Sequence, residues 1–403
     1  MKQNKEKYGE VFTPSWLVQW MIDDAKQLMG NDFFHKNIFE PGAGLGVFYQ
    51  TLDCCYNSYT MNEINPQRQT HLSNLLTHKN DSLFIGNALD WKPHQPCYDL
   101  VWGNLPFHNN GTGGGGGQKG KRGVTIWTLM IYHFFQYILK EEGYFYGIIP
   151  CIWLKKDKAN IYDFFTQQNK LCFLKVFDCA RANTIFKYNC QTPVCYVMVQ
   201  KKMRIEKPIK RQEIKFYLYD PEYASYIPFV LPPGFCIPTN YGTRFLKQLK
   251  NKPLVSCFEN IKKVAYMNQS IVKQATQYID GNTHNTTLET IPIDNENEYK
   301  VISGASWKEN TLILHGYISK TPGLYQGIPK IIIPHKRLLR IIKDTNGSYG
   351  IYGRDIHVFI LKDSQQIEAV ARKLQEHEVC KLLEYGFKIR MNFLEKYAFQ
   401  YIL

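Results

Sequence analysis

The fold class is decided by one stretch of the chain, Asn37-Ile38-Phe39-Glu40-Pro41-Gly42-Ala43-Gly44-Leu45-Gly46-Val47-Phe48. A short apolar strand runs into a glycine-rich loop, and the loop runs into a helix with apolar residues. Glycine accepts positive φ angles and lets a ligand approach the backbone closely, while the helix N-terminus adds a favourable dipole. A strand, loop and helix in this order predict an α/β fold with a ligand site at the loop.

The kind of ligand follows from two residues of this stretch. A dinucleotide fingerprint requires a third glycine three residues after Gly44, and Val47 holds that position. Glu40 precedes the loop, and its negative charge suits a ligand with a positive group better than a pyrophosphate. A lone glycine loop is often only a tight turn, but its place between a strand and a helix favours a ligand site.

Further strands repeat the pattern, over residues 58–63, 82–85 and 98–102, with a helix over residues 65–77. This alternation predicts a mostly parallel sheet whose carboxyl ends share one edge. Glu63 lies about 20 residues beyond the glycine loop, where an acid at a strand end binds ribose hydroxyls. Its alternative is an exposed loop carboxylate. Asn87 offers a hydrogen bond to an adenine ring at the same edge.

A second functional candidate follows the strand at residues 98–102. The chain continues Gly103-Asn104-Leu105-Pro106-Phe107, which places an amide, a proline-stiffened turn and an aromatic ring in one corner. Such a corner suits a flat, hydrogen-bonding ring such as a nucleobase. A plain turn capping a strand is the alternative, and the ligand loop upstream favours the binding role.

Four motifs together resemble the gamma-class N6-adenine DNA methyltransferases, within the class I S-adenosylmethionine-dependent superfamily. In family order they are Phe12-Thr13-Pro14, the glycine loop with Glu40, Glu63, and the turn from Asn104. The resemblance continues through residues 113–117, 126–127 and 143–150 and spans the N-terminal half. It implies a Rossmann-like methyltransferase domain over residues 1–205 and an α+β target-recognition domain over residues 206–403.

The resemblance also implies S-adenosylmethionine as cofactor, S-adenosylhomocysteine as product, and no metal. The cofactor-binding residues that it implies are Phe12, Thr13, Pro14, Glu40, Pro41, Gly42, Gly44, Gly46, Glu63, Ile64, Asn87, Ala88 and Asn104. Among these, Asn87 stands where an acid is more usual. Before the first helix, expected over residues 16–29, Thr13 or Ser15 is expected to cap the N-terminus.

The same family assigns the chemistry to Asn104, Leu105, Pro106 and Phe107. The Asn104 side-chain oxygen and the Leu105 carbonyl accept hydrogen bonds from adenine N6, and Phe107 stacks on a base flipped out of the duplex. Phe186 is the candidate for a second aromatic contact with that base, and core packing is its alternative. The family carries proline where this chain has Leu105.

Leu105 leaves RNA as an alternative substrate, because Gly-Asn-Leu-Pro-aromatic also resembles the pattern of rRNA adenine dimethyltransferases. An RNA adenine methyltransferase is therefore the first alternative to a DNA enzyme. A catalytically silent, nucleic-acid-binding homologue is the second, and it predicts binding without turnover.

Charge favours a polyanion as the partner, and the resemblance implies that this partner is double-stranded DNA. The 403 residues carry a formal net charge of +14, and a basic excess of this size suits a polyanion. Solvated lysine-rich faces are the alternative. A glycine-rich loop over residues 108–123 is expected to form a flap over the base. The expected DNA contacts are Lys121, Arg122, Lys336, Arg337 and Arg354.

The remaining expectations concern the second half and the cellular context. We expect helices over residues 246–277 and 367–383, and strand-and-turn elements at 330–337 and 349–354. No apolar run reaches the roughly 20 residues of a membrane span. With 11 cysteines and no regular framework, reduced thiols are expected. We expect a cytoplasmic, nucleoid-associated monomer or, for a viral protein, the host compartment that holds the DNA.

Overall fold

The computed structural model describes most of the chain outside the glycine-rich loop and several segments of the second half. The described residues are 11–53, 55–107, 125–156, 158–187, 193–203, 213–221, 223–232, 234–239, 261–263, 271–279, 298–308, 311–334, 341–351, 356–387 and 398–399. The chain divides into two compact units, the first ending at Ile237 and the second beginning at Pro238.

The first unit is built on a nine-stranded sheet, in the order β3-β2-β1-β4-β5-β7-β6-β8-β9 among the described strands. Strands β1 to β5 pair in parallel, whereas β7 is antiparallel to both β5 and β6. The predicted α/β class with a mostly parallel, Rossmann-like sheet is therefore confirmed. The strands are β1 Asn37–Pro41, β2 Ser58–Glu63, β3 Asp81–Ile85, β4 Tyr98–Asn104, β5 Leu139–Pro150, β6 Lys170–Phe177, β7 Val194–Gln200, β8 Ile214–Asp220 and β9 Ser225–Leu231.

Helices and single turns connect these strands. The α-helices are α1 Ser15–Met29, α2 Val47–Thr51, α3 Gln69–Leu75, α4 Ile126–His133, α5 Ile161–Asp163 and α6 Cys179–Phe186. Shorter 3-10 and π turns cover Asn31–Phe34, Pro66–Arg68, Phe134–Ile138, Cys151–Leu154 and Phe164–Gln168.

Helix α1 lies against the sheet through an apolar face of Leu17, Val18, Met21, Ile22 and Ala25, all buried. Its N-terminus differs from the expectation. Pro14 holds the N-cap position, and among the described residues no side chain caps this end. The expected cap by Thr13 or Ser15 is therefore wrong, because Pro14 presets the extended backbone and the Thr13 hydroxyl is engaged elsewhere.

The core of the first unit is unusually aromatic. Its largest fully buried side chains include Trp102 of β4, Tyr59 of β2 and Tyr146 of β5. Rings in this core meet edge-on, as where Phe48 meets Trp102 with centroids 5.0 Å apart. The aromatic core holds β1, β2 and β4 together, and their carboxyl ends form the site described below.

The second unit has an α+β architecture, as predicted. Its two described sheets have the orders β10-β17-β14-β15 and β11-β13-β12-β16. The strands are β10 Ile261–Lys263, β11 Ile271–Ile279, β12 Tyr299–Lys308, β13 Thr311–Ser319, β14 Lys330–Pro334, β15 Ile342–Asp344, β16 Tyr349–Ile351 and β17 Ile356–Ile360. Helices α7 Ser364–Gln375 and α8 His377–Lys381 follow, with a π turn at Leu382–Gly386.

The structure departs from two expectations about the second half. The helix expected over residues 246–277 is wrong at its described positions, because β10 and the start of β11 are strands. Both pair with strands distant in sequence, and such pairing overrides local propensity. The structural division also lies later than the expected boundary after residue 205, since β8 and β9 extend the first sheet through β6.

In the part of the chain that the structure describes, no helix is both long enough and apolar enough to span a bilayer.

Candidate functional site

The carboxyl ends of four parallel strands gather most of the predicted site residues. Strands β1, β2, β3 and β4 end at Pro41, Glu63, Ile85 and Asn104 respectively. Because all four run in the same direction, these ends share one edge of the sheet. Gly103 shows how close they lie, since a Cβ built on it would be 3.5 Å from the Pro41 carbonyl oxygen.

The glycine loop between β1 and α2 forms an open cradle. Gly42 and Gly44 have φ angles of +73° and +60°, which side chains with a Cβ rarely adopt. A Cβ built on either residue would meet no described atom within 4 Å, so open space lies in front of the loop. Gly46 also has a positive φ and leads into α2, and the Ala43 N–H donates to the Asn62 carbonyl at 2.8 Å. This hydrogen bond attaches the loop to β2, and open space remains in front of Gly42 and Gly44.

Glu63 ties this loop to the end of β2. Its Oε2 accepts a hydrogen bond from the Gly44 N–H at 2.7 Å, and its Oε1 accepts one from the Asn65 N–H at 2.8 Å. The side chain is 4% exposed. Both carboxylate oxygens therefore take part in holding the loop and the residues after β2. The alternative of an exposed carboxylate is wrong, because the backbone amides draw Glu63 inwards.

Glu40 is held at the end of β1 by a relay of two aromatic side chains. Trp102 Nε1 donates to the Tyr59 hydroxyl at 2.9 Å, and that hydroxyl donates to Glu40 Oε2 at 2.6 Å. Within the described part of the chain, Glu40 Oε1 is buried without a hydrogen-bond partner. Burial raises the pKa of Glu40 to about 8; the Tyr59 hydrogen bond lowers it, and the negative charge of Glu63 raises it.

Asn104 ends β4 with its amide turned towards the segment before α1. Its Nδ2 donates to Thr13 Oγ1 at 3.1 Å and lies 3.5 Å from the Val11 carbonyl oxygen. Asn104 Oδ1 is buried and, among residues that the structure describes, lacks a hydrogen-bond partner. Thr13 is 7% exposed, so this contact is shielded from solvent.

We refer to Glu40 Oε1 and Asn104 Oδ1 as the two site oxygens. A buried oxygen without a partner costs about 1–3 kcal/mol, so native proteins rarely keep one without a reason. One of these two oxygens belongs to a carboxyl and the other to a neutral amide. Glu40 is the last but one residue of β1 and Asn104 is the last residue of β4, so both lie at the same edge, beside a loop with open space in front of it. This arrangement fits a ligand that brings a cation and an N–H donor to this edge.

The other residues predicted to bind the cofactor differ in their exposure to solvent. Phe12 and Ile64 are 40% and 48% exposed, and the Arg68 guanidinium lies 5.9 Å from the centre of the Phe12 ring. Asn87 is exposed, and its Oδ1 accepts a hydrogen bond from the Leu89 N–H at 3.1 Å. Its side chain therefore stabilises the local turn after β3. Ala88 is buried.

The catalytic turn and Phe186 also differ in their surroundings. Leu105 is buried and its N–H donates to the Ile148 carbonyl at 3.3 Å, which fastens the turn to β5. Pro106 and Phe107 are half-buried, and Phe107 packs against the aromatic core. Phe186 lies within that core at 9% exposure, the position that its alternative role requires.

The predicted DNA contacts fall outside the described residues. These are Lys121 and Arg122, with the glycine-rich flap before them, and Lys336, Arg337 and Arg354. They remain predictions from the sequence.

Sequence reasoning missed three residues that organise the site. Tyr59 and Trp102 orient Glu40, and Val11 faces the Asn104 amide. Tyr59 carries a usable indication, since it is a tyrosine in a strand predicted to lie beside the one that ends at Glu40. Val11 acts through its backbone carbonyl, so its residue type gives no indication.

Comparison with known proteins adds one class of resemblance. No family model and no curated protein matches the chain. Solved structures similar to it include methyltransferases. The M protein of type I restriction enzyme EcoKI is 16% identical, with 53% of this chain and 48% of that chain covered and a TM-score of 0.36.

Two further structures show the range of this resemblance. The type I restriction-modification methyltransferase subunit of Streptococcus thermophilus is 16% identical, covering 52% of this chain and 47% of that one, with a TM-score of 0.37. The 23S rRNA methyltransferase ErmE is 11% identical, covering 47% and 70%, with a TM-score of 0.34. The chain thus spans about half the length of the two restriction-system subunits. Likenesses this distant assign no substrate.

Proposed function

We propose that the chain is an S-adenosylmethionine-dependent DNA methyltransferase that acts on N6 of a flipped-out adenine. The observation that carries the proposal is the position of the two site oxygens at one edge of the sheet, beside an open glycine loop. Glu40 suits a cationic methyl donor, and Asn104 suits an amino group that must be bound and oriented. The order of the sequence motifs supports the same assignment.

The donor half of the proposed site uses residues of β1, the glycine loop and β2. Glu40 Oε1 would pair with the ammonium group of the donor, and this new charge would let the raised pKa of Glu40 fall. Glu63 would accept from ribose hydroxyls, and Phe12 and Ile64 offer exposed apolar surface to a purine ring. When bound, S-adenosylmethionine supplies a methyl group on a positively charged sulfur.

The acceptor half uses the turn after β4. The N6 lone pair of adenine is delocalised into the ring, which makes the amino group a poor nucleophile. Asn104 Oδ1 and the Leu105 carbonyl would accept hydrogen bonds from the two N6 protons and favour a pyramidal nitrogen. Phe107 would stack on the ring. Holding the amino group in this geometry supplies much of the rate enhancement, because correctly oriented groups react far faster than free ones.

DNA as the substrate rests on charge and on the second unit. The net charge of +14 favours a polyanion. Lys121, Arg122, Lys336, Arg337 and Arg354 are the proposed phosphate or base contacts, with the second unit as the recognition domain. Leu105 is the specific observation that favours an RNA adenine as the second candidate substrate.

The decisive experiment is a transfer assay with methyl-labelled S-adenosylmethionine. Wild-type protein is offered duplex DNA of mixed sequence and, separately, ribosomal RNA, and modified adenines are identified by mass spectrometry. Label on N6 of DNA adenine is the expected result. Label on RNA alone would replace DNA by the second candidate, and nucleic-acid binding without any transfer would indicate a silent homologue.

The site assignment is tested by Asn104→Ala in the same assay. The transfer rate is expected to fall about 10²- to 10³-fold, the usual cost of removing one preorganised hydrogen-bonding group. Asn80→Ala is the matched control, because Asn80 is exposed and precedes β3, at the opposite edge of the sheet. Equal rates for the two variants would contradict the role of Asn104.

A further inference from the structure

The contact between Asn104 and Thr13 has a direction that limits what Asn104 can do. The two residues lie 91 positions apart, so the contact depends on the fold. The Val11 oxygen is a carbonyl and carries no proton. The group that faces it must therefore be the amide nitrogen, which leaves Oδ1 on the other side. The direction of the amide thus follows from its neighbours.

Thr13 is free to serve this purpose because it has no role in the helix that follows. Pro14 occupies the cap position of α1, and in the described part of the chain no side chain bonds to that end. The Thr13 hydroxyl is buried, and the hydrogen bond that it accepts comes from Asn104 Nδ2 at 3.1 Å. A buried hydroxyl held against one amide constrains that amide more than it stabilises α1.

We propose that Thr13 is a positioning residue: its hydroxyl, with the Val11 carbonyl, locks the Asn104 amide so that Oδ1 faces the acceptor base. This rests on the proposed function and adds a role for a residue that the resemblance assigns to cofactor binding. Without the Thr13 hydroxyl, the longer 3.5 Å contact is the one described hydrogen bond left on the amide, which then turns more freely. A misplacement of about 1 Å at a reacting group costs about 10²-fold in rate.

The same geometry distinguishes asparagine from aspartate at position 104. Asn104→Asp keeps the shape but replaces Nδ2 by an oxygen, which would face the Val11 carbonyl with no proton between them. The Thr13 hydroxyl is able to turn and donate to one carboxylate oxygen, because a hydroxyl both donates and accepts. The penalty of aspartate is therefore expected to grow when Thr13 is replaced by valine.

The test compares Thr13→Val with Thr13→Ser in the methyl-transfer assay at saturating donor. Valine has nearly the same shape without the hydroxyl, and serine restores the hydroxyl. We expect kcat to fall about 10- to 100-fold in T13V and to stay within about threefold of wild type in T13S. Thr166→Val is the matched control, since Thr166 is equally buried and its hydroxyl donates to the Tyr162 carbonyl within a helical turn.

Donor affinity separates positioning from cofactor binding. The Kd for S-adenosylhomocysteine, measured by calorimetry, is expected to stay within about twofold of wild type in T13V, because the lost bond is directed at Asn104. A weakened Kd with an unchanged kcat would overturn the proposal and make Thr13 a cofactor residue. An unchanged kcat together with an unchanged Kd would overturn it as well.

A third readout does not depend on catalysis. The side-chain amide protons of Asn104, identified in NMR spectra by their loss in N104D, are expected to shift in T13V and to keep their wild-type position in T13S. Unshifted protons in T13V would overturn the positioning contact. If wild-type protein transfers no methyl group to any nucleic acid, the proposed function fails, and this measurement still decides the contact. If T13V does not fold, Thr13→Ala, which also lacks the hydroxyl, takes its place in the same measurements with the same expected and contradicting results.

Discussion

Two carboxylates in the first unit, the largely buried one of Asp24 and the fully buried one of Glu40, have different sets of hydrogen-bond partners. Asp24 Oδ2 accepts from Lys175 Nζ at 3.2 Å, from the Tyr226 hydroxyl at 2.7 Å and from the Tyr196 hydroxyl. Lys175 also lies over the Tyr219 ring, 3.8 Å from its centre. Glu40 has the Tyr59 hydroxyl on one oxygen and, within the described ranges, no partner on the other.

The difference separates structural burial from readiness for a ligand. Three donors, one of them the ion-pair partner Lys175, converge on Asp24 Oδ2, and they join α1 to β6, β7 and β9. The two site oxygens sit at a sheet edge that parallel strands make available for ligands. Among the described residues Glu40 Oε1 has no hydrogen-bond partner, and this supports the proposed role of Glu40 in donor binding.

Removing the charge of Asp24 is expected to have the largest effect on stability. Asp24→Asn leaves Lys175 buried without an anion, and burial already lowers the pKa of Lys175. Breaking a buried ion pair costs about 3–5 kcal/mol, measured as the loss in free energy of unfolding in urea. Methyl transfer per folded molecule should be unchanged.

A matched control for Asp24 exists on the surface of the second unit. Glu368 pairs with Lys343 at 2.8 Å while both side chains are substantially exposed. Glu368→Gln should change the unfolding free energy by about 0–1 kcal/mol, because solvent screens exposed pairs. A similar loss of unfolding free energy in D24N and E368Q would contradict the view that the Asp24 ion pair contributes more to stability than an exposed pair.

Glu40→Gln is expected to act in the opposite direction on stability, with a strong dependence on pH. The pKa of Glu40 is raised from 4.5 to about 8, so between these values the folded chain holds a proton that the unfolded chain has released. Wild-type stability should fall by about 1.4 kcal/mol per pH unit across this range, and E40Q should lack this term. Unfolding free energies of both proteins at pH 6 and pH 8 test the sign.

The same variant separates stability from binding. E40Q cannot carry the negative charge proposed to pair with the donor, so it should bind S-adenosylhomocysteine more weakly than wild type while being more stable at pH 8. Parallel loss of stability and affinity would contradict the view that Glu40 is kept for a ligand.

Tyr59→Phe is expected to have the smallest effect of the three on stability. It removes the donor to Glu40 Oε2 and the acceptor of Trp102 Nε1, at a cost of about 1–3 kcal/mol. Because the Tyr59 hydrogen bond lowers the pKa of Glu40, its loss should raise that pKa further. The unfolding free energy of Y59F should therefore continue to fall above pH 8. The same pH dependence in Y59F and wild type would show that Tyr59 does not control the pKa of Glu40.

The sequence predicted the first half of the fold well because the residues that mark the ends of its strands lie next to those ends in the sequence. Glycines at 42, 44 and 46 and the polar residues Glu63 and Asn104 mark where parallel strands end, and the structure brings those ends to one edge. The contacts that complete the site are not local. Thr13 and Asn104 meet across 91 positions, and residue types alone do not specify which hydroxyl faces which amide.

The second half was harder to predict for a related reason. Lysine-rich residues between 246 and 277 show a helical spacing, yet β10 and β11 form because β17 and β13 pair with them. The first sheet likewise continues beyond the expected domain boundary after residue 205, because Phe173 of β6 pairs with Tyr217 of β8. In both cases, strand partners that lie far along the chain determine the structure.

Strand β9 ends the nine-stranded sheet, and its sequence has a consequence for how the protein behaves at high concentration. An outermost strand with free N–H and C=O groups is a template on which other molecules can assemble, which leads to aggregation. Pro228 lies in the middle of β9, opposite Tyr217, and supplies no N–H. Proline at such a position disfavours strand addition from a neighbouring molecule, so this edge limits fibril-like association of the fold.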